Sequence, residues 1–130
     1  MANPYEKYRE VQVLTASPER LVLLLYEGAI RFLEEARAAL DGGDLAKAHE
    51  RLTRTQDILT ELITGLDFNY EVSSNLYRLY DYFRRRLVEA NVRKDPGAVQ
   101  EVLRFLKELR DTWREAVVSR KAGESIESKG

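Results

Sequence analysis

The chain has 130 residues and a net charge of -1, with 44% hydrophobic and 33% charged residues. This length and balance predict one globular domain, and the near-zero charge gives no electrostatic reason to expect binding to nucleic acid or to an anionic membrane surface. The sequence contains no cysteine, which excludes disulfide bonds and thiolate chemistry.

The chain opens with an aromatic and apolar lead-in. Its large side chains are those of Tyr5, Tyr8, Val11, Val13 and Leu14. Polar residues lie between them where a signal peptide would be continuously apolar, so a cytoplasmic location is expected. Ser17 and Pro18 then suit the N-cap and the first position of a helix. Residues 1–16 are therefore expected to form a segment that precedes the folded domain.

The first predicted helix contains an unbroken apolar block from Leu21 to Tyr26. Successive helical residues are about 100° apart, so this block surrounds the helix and one bundle face cannot bury it all. The excess must be covered by the lead-in or by another protein, which makes the block a candidate binding surface. It is far shorter than the roughly 20 residues that a membrane-spanning helix needs, so no membrane insertion is expected.

Capping residues divide the folded domain into four helices. The expected helices cover 17 to about 40, 44 to about 65, 73 to about 94 and 95 to about 118. Gly43 can adopt a positive φ at the end of the first helix. Asp44 and Asp95 are natural N-caps for the second and fourth. Residues 119–130 are polar and are expected to form a disordered tail.

Apolar residues recur at spacings of three and four in the second, third and fourth helices, as they do along the seams of left-handed bundles. The predicted seam residues are Leu45, Ala48, Leu52, Thr55, Leu59, Leu62 and Leu66 in the second helix, Leu76, Tyr80, Phe83, Leu87 and Ala90 in the third, and Val99, Val102, Leu106, Leu109, Trp113 and Ala116 in the fourth. Short connections make successive helices antiparallel. The sequence therefore predicts an all-α fold, an antiparallel up-down-up-down four-helix bundle over residues 17–118.

The reactive side chains do not suggest an enzyme. A di-iron centre in a four-helix bundle needs Glu-x-x-His pairs, whereas Ala46 stands three residues before His49, the single histidine. Zinc would lack ligands. Histidine phosphotransfer bundles carry a His-x-x-Lys-Gly pattern, and residues 49–53 lack its lysine and glycine. We expect a solvent-facing His49, no catalytic residues, and no metal or cofactor.

Several large side chains fall outside the predicted seams. They are Ile58, Ile63, Tyr77, Tyr82, Val88, Val92, Leu103 and Phe105. A broad core face explains half or more of them. The remainder, with the Leu21–Tyr26 block, could line a groove for an apolar helix, and tyrosine suits such a surface because it has an apolar body and a polar tip.

Several motifs, in this order and spacing, resemble those of the FliS family of flagellar secretion chaperones. The matching residues are Tyr5 and Tyr8, Thr15–Pro18, Leu21, Leu25–Ile30, Gly65–Asp67, Asn75–Tyr77, Leu79–Tyr82, Arg85–Leu87, Glu89–Asn91 and Trp113. The resemblance covers the chain from Tyr5 to about Val118. Each motif is weak by itself, and their combination is specific.

The resemblance implies a bundle with the N-terminal segment packed on it. It also implies a cytosolic, non-enzymatic export chaperone for bacterial flagellum biogenesis. Such a protein binds the disordered C-terminal segment of flagellin, prevents premature polymerisation, and delivers flagellin to the type III export gate, the cytosolic domain of a membrane protein. Residues Tyr5, Tyr8, Val11, Val13 and Leu14 would cover part of the empty groove and then engage the gate.

The expected flagellin groove combines this resemblance with the apolar surplus. Its residues would be Leu21, Leu25, Tyr26, Ile58, Leu62, Leu76, Tyr77 and Tyr80. One departure concerns 67–74, which lacks the glycine pair often found there in the family and carries Phe68 and Tyr70 instead. Two other classes stay open: a signalling bundle that uses His49, and an adaptor that self-associates.

Overall fold

In the computed structural model of this chain, the backbone is described for residues 18–129 and the side chains for residues 18–119. This part of the chain forms four helices: α1 (Pro18–Asp41), α2 (Leu45–Thr64), α3 (Val72–Arg93) and α4 (Pro96–Lys129). Helices α1 and α3 each pack against both α2 and α4. With the short connections, this ring order gives the predicted antiparallel up-down-up-down bundle.

The caps explain most of the helix bounds. Gly43 has φ 75° after the end of α1, where a side chain would be strained. Asp44 accepts a hydrogen bond from the backbone N–H of Lys47 at 3.1 Å, and Asp95 accepts one from that of Gly97 at 2.9 Å. These contacts satisfy N–H groups that the first helical turn leaves unpaired.

The C-terminal end of α4 differs from the prediction. The helix continues to Lys129, past the end near Val118 that the sequence predicted, while the expected disordered tail over 119–130 stays a prediction. Polarity was the basis of that expectation, but polarity alone does not stop a helix. Lysine, arginine, glutamate and alanine, which are strong helix formers, supply half of this stretch, and no proline follows Pro96. Extending a formed helix also avoids the cost of nucleation.

The N-terminal predictions lie outside the described residues. This applies to the expected segment 1–16, with Tyr5, Tyr8, Val11, Val13 and Leu14, and to the Ser17 cap. They stay predictions.

The core runs along the bundle and receives side chains from all four helices. Its largest fully buried aliphatic and phenylalanine side chains are Leu33, Leu52, Leu59, Phe83, Leu87, Val99, Val102 and Leu106. Phe83 packs on Phe105, with ring centroids 5.8 Å apart. The predicted seams supply most of this core. Leu45 is half exposed, because it lies in the first turn of α2, where fewer neighbours cover it.

A hydrogen bond closes the end of the bundle at which α1 begins. The Trp113 indole N–H donates to the backbone carbonyl of Glu19 at 2.8 Å, so α4 is held against the first turn of α1. Buried indole groups need such a partner. Among the described residues, no helix is both long and apolar enough to cross a membrane.

Candidate functional site

The apolar block of α1 is shared between the core and the bundle surface. Leu23 and Tyr26 are buried, with 8% and 2% of their surfaces exposed. Val22 and Leu25 are partly buried against the core. Leu21 and Leu24 are half-buried. The block is therefore not wholly buried in the core, and the predicted surplus would lie at its half-buried positions.

The contact of Phe32 with Arg51 fixes how α1 and α2 align. The Arg51 guanidinium lies over the Phe32 ring at 5.9 Å from its centroid. Seven residues are about two helical turns and return to nearly the same face. In an antiparallel pair, Leu25 on α1 and Ile58 on α2 both lie two turns beyond this contact, so we infer that they lie on neighbouring parts of the α1–α2 interface. Leu21 follows one turn further along α1.

We name Leu21, Leu25 and Ile58 the α1–α2 strip. All three are half-buried, and Leu25 and Ile58 also pack against the core. Such side chains are held in place by their buried side and keep apolar surface available on the other. The strip is the part of the predicted groove that the structure brings together on one outer surface.

Charged residues close one end of the α1–α2 strip. Arg51 donates hydrogen bonds to Glu35 and to Glu50. The hydrogen bond that Arg51 donates to Glu35 is the main cause of the raised pKa of Arg51. The hydrogen bond from Arg54, at 3.0 Å, is the main cause of the lowered pKa of Glu50. The ion pairs of Arg51 form a polar boundary to the strip.

Three predicted groove residues are core residues in this structure, which corrects their assignment to an open surface. Tyr26 and Tyr80 are each 2% exposed and Leu62 is 5% exposed. The hydroxyl groups of Tyr26 and Tyr80 hydrogen-bond to each other, and their ring centroids are 6.4 Å apart. Each phenol thereby gains a polar partner and can be buried. Burial raises the pKa of both.

The last two predicted groove residues lie near the start of α3. Leu76 is partly buried against the core. Tyr77 is 40% exposed, and its ring meets the Phe68 ring edge-on at 6.3 Å between centroids. Tyr77 therefore belongs with the loop between α2 and α3. The contact between Tyr77 and Phe68 was not predicted. The apolar character of the loop was the one feature of the sequence that could have indicated this contact.

His49 joins two helices by a hydrogen bond. It is exposed, and its Nδ1 lies 2.8 Å from the Asn91 side-chain amide on α3. The Asn91 carbonyl oxygen in turn accepts a hydrogen bond from Lys94 at 2.5 Å. In the part of the chain that is described, no group of three or more histidine, aspartate or glutamate side chains could hold a metal ion.

Comparisons with known proteins agree with one another. The family model described as flagellar protein FliS matches residues 1–120. The flagellar secretion chaperone FliS of Bacillus subtilis (strain 168) is 38% identical over 117 residues, covering 90% of this chain and 88% of that protein. The FliS of Salmonella typhimurium is 38% identical over 109 residues, covering 82% and 81%.

A solved crystal structure of a flagellar chaperone from bacteria has the same fold. It superposes with a TM-score of 0.74 and covers 89% of this chain and 99% of its own. Its identity to this chain is 20%, so this likeness concerns the fold alone.

Proposed function

The chain belongs to the FliS family of flagellar secretion chaperones, and from this premise we propose that it binds the disordered C-terminal segment of flagellin. FliS proteins are chaperones, not enzymes. By holding this segment, the protein prevents premature polymerisation of flagellin in the cytoplasm and delivers it to the type III export gate.

The α1–α2 strip is the observation that carries the proposal. A disordered client loses conformational freedom when it becomes ordered, so the complex needs apolar contacts that offset this cost. An amphipathic helix meets such a surface through anchors at i, i+3, i+4 and i+7. Leu21 and Leu25 are one turn apart on α1, and Ile58 lies across from Leu25. Full burial of one large apolar side chain is worth about 1.5–3 kcal/mol.

The core already supports the α1–α2 strip before a client binds, which favours tight binding. Leu25 and Ile58 pack on the core, so their positions need little ordering when a client arrives. Preorganised contacts lose less entropy on binding than mobile ones. The Glu35–Arg51 ion pair at the end of the strip limits how far an apolar client helix extends. The predicted N-terminal residues Tyr5 and Tyr8 would occupy part of this surface in the empty chaperone.

A polymerisation assay with matched variants tests this function. Purified flagellin monomers are mixed with filament seeds and an equal amount of the chaperone, and filament growth is followed by light scattering. We expect the wild-type protein to suppress growth. Ile58→Ser should need about tenfold more protein for the same effect, since it removes one apolar anchor.

Val88→Ser is the matched control. Val88 is 49% exposed and lies on α3, outside the strip, so this variant should behave as the wild type does. Circular dichroism checks that both variants keep their helices. Equal suppression by the Ile58 and Val88 variants would contradict the placement of the client on the strip, and undiminished growth with the wild type would contradict the function.

A further inference from the structure

The loop between α2 and α3 carries a second apolar surface. Four neighbouring side chains form it, with exposed fractions of 59% for Phe68, 66% for Tyr70, 57% for Val72 and 40% for Tyr77. We name these residues the loop patch. Phe68 and Tyr77 are in edge-on contact, and Tyr70 and Val72 lie between them in the sequence. Single exposed apolar residues are ordinary, whereas an exposed group with three aromatic rings is a mark of an interaction surface.

The backbone beneath the loop patch is fixed by hydrogen bonds. The Asp67 carboxylate accepts one from the backbone N–H of Asn69 at 3.0 Å, and its backbone carbonyl accepts one from that of Tyr70 at 3.1 Å. The Ser73 hydroxyl donates to the same carbonyl at 2.6 Å. Ser73 is only 4% exposed, so the loop is anchored in the bundle. The rings are therefore held in an exposed position.

The Tyr77 end of the loop patch lies on the α3 side of α2, away from the α1–α2 strip. Ile58 faces α1, whereas Thr60 faces α3, where Arg84 donates to its hydroxyl at 3.5 Å. Two residues along a helix correspond to a rotation of about 200°. Tyr77 lies two turns before Arg84 on α3 and hence on the same side of that helix. A client on the strip would leave the loop patch accessible.

The surroundings of the loop patch are negatively charged. Asp67 and Glu71 are both exposed, and neither of them forms an ion pair with another described residue. The negative end of the α2 dipole adds to this potential. The nearest basic residue in the sequence is Arg78, which is also exposed. Two carboxylates thus stand against one guanidinium.

We propose that the loop patch binds a segment of a partner protein in which apolar side chains are flanked by lysine or arginine. The rings supply the apolar contact, and the carboxylates select the positive flanks. The same carboxylates repel phosphate groups, which disfavours nucleic acid and anionic bilayers as occupants. This site goes beyond the binding of flagellin, since it lets the chaperone hold a client and a second protein together.

Two synthetic peptides test the charge preference. Both are 14-residue amphipathic helices with the same leucine and phenylalanine face, flanked by lysine in one and by glutamate in the other. They are titrated into the full-length protein and followed by fluorescence anisotropy. We expect the lysine peptide to bind at least about tenfold more tightly, and its affinity to fall with added salt. Equal affinities would overturn the proposal.

Variants test the location. The double variant Phe68→Ser/Tyr70→Ser should weaken binding of the lysine peptide by about tenfold or more, since it removes two aromatic anchors. Glu71→Gln should weaken it by about twofold or more and reduce its salt dependence. Val92→Ser is the control, because Val92 is 79% exposed on α3 and lies outside the patch. Unchanged binding in the double variant would overturn the proposal.

The last measurement is the binding of the flagellin C-terminal peptide. The Phe68→Ser/Tyr70→Ser protein should bind the flagellin C-terminal peptide as the wild type does. Loss of that binding in a folded variant would make the loop patch part of the client surface and overturn a separate site. A wild-type protein that binds the lysine peptide but not flagellin would leave this inference standing while the proposed function fails.

Discussion

Tyr26 and Tyr80 bring two phenol groups into the core, where each hydroxyl group is the hydrogen-bond partner of the other. This arrangement resolves the conflict between burial and polarity within the pair. The expected groove included both residues on the basis of the family resemblance and the apolar surplus, although the spacing also placed Tyr80 in the seam of the third helix. Tyrosine is ordinarily favoured where one end of the side chain reaches water, and the sequence does not reveal that two such ends will meet.

The tyrosine pair predicts a loss of stability at alkaline pH. Burial raises the pKa of both phenols above their ordinary value of 10.0. The unfolded chain therefore releases these protons at about pH 10, while the folded chain retains them. The stabilisation is complete below pH 10 and is lost as the pH rises toward the folded pKa values.

Urea unfolding between pH 8 and pH 11 measures this effect. We expect the wild type to lose about 1–2 kcal/mol more stability between pH 10 and pH 11 than Tyr26→Phe/Tyr80→Phe. Lysine residues titrate in both proteins and cancel in the comparison. Parallel pH profiles would show that the pair does not retain its protons.

Ser73 gives a second prediction at the residue scale. Its buried hydroxyl group holds the backbone of the loop through Asp67. Ser73→Ala should cost about 1 kcal/mol and speed amide hydrogen exchange in residues 67–71. Ser74→Ala, at the exposed neighbouring position, should leave the stability nearly unchanged. Similar melting temperatures for the two variants would show that the anchor is unimportant.

At the scale of elements, the caps made the helices predictable. Asp44 is the clearest case, because its carboxylate accepts a hydrogen bond from the first turn of α2. Asp44→Ala should destabilise the protein by about 1 kcal/mol in urea unfolding. Asp57→Ala, at an exposed position within the same helix, is the control and should cost less than about 0.5 kcal/mol. An equal cost at both positions would mean that the cap contributes nothing specific.

Sequence reasoning identified the helices more fully than the site. Glycine and Asp-Pro signals act locally, so they located the ends of α1, α2 and α3 to within about two residues. The end of α4 has no such signal, and its polar residues were compatible with helix and coil alike. The sequence analysis expected Ile58 and Leu25 to belong to one groove, and the structure gives the position of each residue on the bundle. Their pairing depends on how α1 aligns with α2. The Phe32–Arg51 contact indicates this alignment, whereas the residue pattern within one helix cannot show it.

At the scale of the whole molecule, α2 separates two apolar surfaces. The α1–α2 strip lies on one side and the loop patch on the other. Both are presented by a bundle whose core lies within the described residues. This division fits a chaperone that holds one protein while another recognises it.

Deleting residues 1–10 tests the expectation for the lead-in. The helices and core of α1 to α4 remain in this variant, so we expect its thermal unfolding to stay cooperative, with a midpoint within a few degrees of the wild type. Its affinity for flagellin should be unchanged or higher if the deleted segment competes for the α1–α2 strip. A large fall in the melting temperature, or weaker binding, would instead assign the segment a structural or contacting role.

The central claim is that this bundle binds flagellin through coupled folding of the client, and isothermal titration calorimetry with the flagellin C-terminal peptide tests it most directly. We predict a dissociation constant of about 1 µM or tighter and a negative heat-capacity change, since apolar surface is buried as the peptide becomes ordered. The absence of binding at micromolar concentrations would contradict the account.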